Sequence, residues 1–187
     1  MSSTSTQLRD ALLAEHSKQQ TVQITEWIGS NRKRFAALVA IICGSEQGIP
    51  AQRGAWVIIH CAEANPEVVV PYLKDLLENL KRPELHDAIK RNTMKVMALL
   101  PIPDDLAGLA FDLALRFLTD EGEAVAARAY SMTVLQKICE REPTLADEVF
   151  LTIEAHLPHK KKPAFQSRAK QVLKQLVAIH DSARASR

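Results

Sequence analysis

The chain has 187 residues, is 47% hydrophobic and 25% charged, and carries a net charge of +2 at neutral pH. This is an ordinary globular mix, long enough for a substantial core. Its 6 glycines and 5% aromatics argue against a sheet-rich fold, because strands favour β-branched and aromatic side chains.

The apolar spacing is helical almost throughout. "GSN" at 29–31, "GSEQGIP" at 44–50, "NPE" at 65–67, "KRPE" at 81–84, "PIPDD" at 101–105, "TDEGE" at 119–123, "REPT" at 141–144 and "LPHKKKP" at 157–163 read as turns. Between them the sequence predicts about ten helices. They pair as 5–15 with 17–29, 31–43 with 51–64, 66–80 with 85–100, 104–119 with 123–140, and 144–157 with 164–180. Leu73, Leu76, Leu77 and Leu80 mark one buried stripe, and Leu106, Leu109, Leu113 and Phe117 another. Asn65, Asp104 and Thr144 are candidate N-caps. A single domain over 5–180 is expected, with flexible tails at 1–4 and 181–187.

The second helices share a pattern. "RGAWVII" begins at Arg53, "KRNTMKVM" at Lys90, "RAYSMTVL" at Arg128 and "RAKQVLKQ" at Arg168, with "KQQTVQI" at Lys18 as an earlier copy. The spacings are 35, 37, 38 and 40 residues. Each copy starts on a basic residue and carries an apolar one four positions later: Val22, Val57, Met94, Met132 and Val172. Helix–turn–helix units with a period near 40 mark an α-solenoid. On these residues the chain resembles the HEAT-like branch of the HEAT/armadillo superfamily, in its small bacterial single-domain form. The resemblance implies an all-α, right-handed α-α superhelix of about five helix pairs. The strict Asp-x-x-x-Val-Arg core of strong HEAT repeats is absent, and "HDAIKRN" at 86–92 and "EAVAARA" at 123–129 come nearest.

Catalytic patterns are scarce. His60 and Cys61 are sequence neighbours and point about 100° apart on a helix, so they cannot face each other. Trp56 and His60 do share a face. The spacing of the histidines gives no zinc pattern, and "CGSEQG" at 43–48 has neither Walker nor dinucleotide spacing. No metal or cofactor is therefore expected. Cys43, Cys61 and Cys139, odd in number and far apart, suit reduced thiols in the cytoplasm. No apolar run approaches the roughly 20 residues of a membrane span, and "MSSTSTQLRDALL" does not read as a secretory signal.

The recurrent cations are the strongest functional signal. A cation in the first turns of a helix is disfavoured by the macrodipole, so its recurrence calls for a recurrent partner. That partner is either a nearby acid, such as Asp87 for Arg91, or an external anion. Residues 156–187 hold eight Lys or Arg and one acid, Asp181, which makes the last repeat the most basic. The expected binding residues are Arg53, Trp56, Lys90, Arg91, Arg128, Arg168 and Lys170. The expected function is a non-enzymatic scaffold or adaptor, monomeric, that binds a protein or peptide on the concave face of the second helices. The alternative is DNA binding through the basic residues, similar to HEAT-like DNA-alkylation-repair proteins, with a glycosylase-like activity as its enzymatic extreme.

Overall fold

A computed structural model describes residues 3–46, 48–157 and 162–185, and among these there are helices, turns and no strand. The first pair is α1 (Ser3–Ala14) and α2 (Lys18–Ile28); the second is α3 (Arg32–Cys43) and α4 (Ile49–Ala64). In the third, α5 (Pro66–Val69), a 3₁₀ turn at Val70–Tyr72 and α6 (Leu73–Asn79) precede α7 (Asp87–Leu99). Then come α8 (Asp104–Thr119) with α9 (Val125–Cys139), and α10 (Ala146–His156) with α11 (Pro163–Ala185). The helix predicted as continuous over 66–80 is broken because Pro71 lies inside it. Proline has no N–H to donate and its ring crowds the preceding turn. The helices also reach into both expected tails, α1 starting at Ser3 and α11 ending at Ala185. Residues 1, 2, 186 and 187, and residues 158–161 of the basic turn, lie outside the described residues.

The helices gather into two compact units, Met1–Ile102 and Pro103–Arg187. In the first, α1, α3 and α6 neighbour one another in series, as do α2, α4 and α7, so first and second helices form separate layers. In the second unit α9 packs on both α8 and α11, and α10 packs on α11. Phe35, Leu38 and Ile42 of α3, Ile58 of α4 and Leu73, Leu76 and Leu77 of α6 are fully buried where α3 packs on α4 and α6. Each such side chain stabilises the fold by roughly 1.5–3 kcal/mol relative to exposure. The apolar residues four positions after the recurrent cations follow this rule, since Val57, Met94, Met132 and Val172 are buried. Val22 is 37% exposed, because α2 has a second-helix neighbour, α4, on one side only.

The helix starts are capped by residues other than those expected. Ser17 accepts from Gln20 N at 3.0 Å. Asn31 accepts from Lys33 N and Arg34 N, each at 3.1 Å. His86 Nδ1 accepts from Ala88 N at 3.1 Å. Asn65 makes no cap bond and instead accepts from Ser30 Oγ. Asp104 is already helical and its carboxylate pairs with Arg141. Thr144 lies inside the 3₁₀ turn Pro143–Leu145.

Candidate functional site

Two of the recurrent cations, Arg53 and Arg128, find a partner that neither expectation named. Arg53 donates from Nη1 to the carbonyls of Leu12 at 2.8 Å and Leu13 at 3.1 Å, in the last turn of α1. Arg128 donates from Nε to Leu118 O at 2.9 Å, at the end of α8. Gln20 donates to Ala11 O at 2.8 Å, and Arg82 donates to Cys43 O at 3.2 Å and Gly44 O at 2.6 Å. The last carbonyls of a helix have no partner within it and carry the negative end of the dipole. A guanidinium that starts beside one helix's N-terminus thus reaches the C-terminus of another, and the apparent electrostatic cost becomes a gain.

The second unit holds three of the expected binding residues. Arg128 is wholly buried, its Cζ 5.2 Å from the Phe165 ring centroid. Burial holds its pKa below the ordinary arginine value, opposed by Glu121 and Asp120. It offers no surface to a partner. Arg168 donates to Thr133 Oγ1 at 3.2 Å, and Lys170 is exposed.

In the first unit the N-terminal halves of α4 and α7 border a cleft of about 430 Å³. Arg53, Trp56 and Arg91, three of the expected residues, line it together with His16, Ile49 and Asn92. Lys90, on the same helix, sits 3.8 Å from Asp87 and outside the lining. The Trp56 ring is flanked by His16 and His60, with centroids 5.5 and 6.1 Å away. Arg91 Nε donates to Asn92 Oδ1 at 3.0 Å. Asn92 is 3% exposed, and its Nδ2 has no protein partner; Arg53 Nε is likewise buried and unpartnered. No carboxylate lines the cleft. The N-cap of α4 is Gly48, which supplies no side-chain bond to the first amides.

Asn92 was not among the expected residues, although a signal for it exists. It stands three positions after buried Ile89 and four before buried Val96, so it occupies a core position with a polar side chain. Ile49, His16 and His86 carry no comparable mark, because they reach the cleft from turns and helix starts.

The cysteines are set apart from this cleft. Burial pushes the Cys61 thiol up to about 12, against a hydrogen bond from Thr25 that acts the other way. Burial also raises Cys43 and Cys139 to about 11, with Asp75 and Glu148 adding to it. A thiol is nucleophilic only as thiolate. At pH 8, alkylation of folded Cys61 is expected to be on the order of a thousandfold slower than in urea, read by mass spectrometry. The same shifts fix a pH dependence. The fold keeps protons that the unfolded chain releases near pH 9.0, so this stability is whole below pH 9 and falls as pH rises toward 11 and 12. Urea midpoints measured from pH 8 to 11 check the sign.

Among the described residues, no helix is long and apolar enough to cross a membrane. No curated protein and no solved structure matches the chain. A family model described as a HEAT repeat domain matches residues 8–176. The chain, helical in pairs along its length, belongs to the HEAT repeat family.

Proposed function

We propose that this chain is a non-enzymatic protein-binding module of the cytoplasm, and that its partner docks in the cleft between α4 and α7. HEAT repeats commonly mediate protein interactions. The observation that carries the reading is the convergence of Arg53, Arg91, Trp56 and the unpartnered Asn92 amide in one cleft without a carboxylate. Nucleic acid is the weaker candidate. A phosphate backbone is held by several cations free to meet it. Here Arg53 and Arg128 are engaged with carbonyls, Lys90 neighbours Asp87 and Arg168 bonds Thr133. A cysteine-nucleophile reading lacks a thiolate, since burial raises all three thiols.

Photo-crosslinking tests the proposal. A benzoylphenylalanine replaces exposed His86 at the cleft rim, and the protein is irradiated in its own cell extract. A crosslinked protein band is expected that disappears in the Arg91→Glu background. Crosslinks to nucleic acid alone, or a protein band indifferent to Arg91→Glu, would overturn it.

A further inference from the structure

We infer that the α4–α7 cleft recognises an aspartate or glutamate side chain carried beside an apolar residue on an extended segment of the partner. The inference rests on the protein-binding reading above and specifies its chemistry.

Three polar side chains at the cleft, Arg53, Arg91 and Asn92, present donors. Arg91 Nε already holds Asn92 Oδ1, which leaves the NH₂ of this cleft-lining amide, buried and without a partner, to donate. Arg53 Nε is a further buried donor without a partner. The remaining nitrogens of Arg91, an exposed residue, complete the set. The first turns of α4 and α7, 16 and 13 residues long, add the positive ends of two helix dipoles. Donors in excess, with no carboxylate in the lining, fit an anion, and a planar guanidinium beside an amide fits the flat, two-oxygen face of a carboxylate.

Ile49, Ala88 and Trp56 give the lining an apolar part. Ile49 is 51% exposed, and the half-buried Trp56 lies on the same face of α4 about two helical turns further along. These give a neighbouring apolar side chain something to cover. The acids near the cleft do not occupy it: Asp87 stands by Lys90 and Glu46 pairs with Arg9 at 3.0 Å. A nucleobase fits less well than a peptide, because His16 and His60 flank the Trp56 ring on which it would stack.

The test uses the full chain on an array of immobilised, end-blocked tetrapeptides. Each carries Asp or Glu beside Leu, Ile, Val or Phe, and each is paired with its Asn or Gln isostere. Acidic members are expected to bind at least tenfold more tightly than their isosteres. Arg91→Leu and Asn92→Leu should each erase that preference while the helical circular dichroism at the assay temperature stays that of the folded chain. Inorganic phosphate and a 12-base-pair duplex run as competitors in the same assay. Equal binding of acids and isosteres, no binding of the acidic members, or displacement by duplex at lower concentration than by acidic peptide would each overturn the inference. A protein crosslink at residue 86 that persists alongside such a result sinks the carboxylate chemistry alone. Loss of the crosslink sinks the docking site itself.

Discussion

Arg128→Ala is expected to cost about 3 kcal/mol, whereas Arg128→Met costs about 1 kcal/mol or less. The alanine variant removes a wholly buried stem that lies over Phe165 and leaves a cavity, the mechanism behind losses of roughly 2–5 kcal/mol in packed cores. It also strips Leu118 O of the bond from Arg128 Nε, worth about 1 kcal/mol net. Methionine keeps most of the stem and so avoids most of the cavity. It loses the same carbonyl bond, but it also removes a guanidinium whose two Nη groups are buried without partners. Replacing a buried ion by an apolar group of similar volume is often neutral or stabilising. Burial lowers the Arg128 pKa despite Glu121 and Asp120, in keeping with a net desolvation cost. Urea midpoints at constant m-value measure both variants. If methionine proves as costly as alanine, attraction to Glu121 and Asp120 governs the site, and the argument from desolvation fails.

Arg53 and Arg128 show where the sequence is legible and where it stops. Both are basic, both open a second helix, and both reach a first-helix C-terminus. Their repetition is readable because the period is. Their surroundings are not, because these depend on the neighbouring helix. Phe165 of α11 covers Arg128, while beside Arg53 the N-terminal half of α7 leaves a cleft open. The helix boundaries were legible for a local reason: Gly, Pro and Asn in the turns act within a few residues of where they stand. Capping was harder to read, because a side-chain oxygen has more than one use. Asn65 accepts from Ser30 and Asp104 pairs with Arg141, both choices made across the fold. The carbonyl partner of Arg53 lies 41 residues away, and no local rule connects the two.

Gly54→Leu is expected to destabilise the first unit by about 3 kcal/mol, with Gly54→Ala within about 1 kcal/mol of zero. Gly54 sits mid-helix in α4 where that helix crosses α3. A Cβ there would stand 3.1 Å from Leu38 Cδ1 and 3.3 Å from Ile42 Cγ1. Alanine gains about 1 kcal/mol of helix propensity over glycine. Against this, two side-chain ends must yield a few tenths of an ångström, so the terms nearly cancel. Leucine adds three further carbons to the same closed space, and overpacking typically costs 1–3 kcal/mol. Gly108 provides the contrast: it is mid-helix in α8 with nothing within 4 Å of a built Cβ. Gly108→Ala should therefore keep the full propensity gain, about 1 kcal/mol. Gly54 also bears on binding, because Arg53 and Trp56 ride on the same helix. Moving α4 off α3 shifts both relative to Arg91 and Asn92 on α7. Gly54→Leu should then weaken the residue-86 crosslink at temperatures where circular dichroism still shows a folded chain. A crosslink that stays at full strength would mean that α4 absorbs the strain without moving its cleft-facing side.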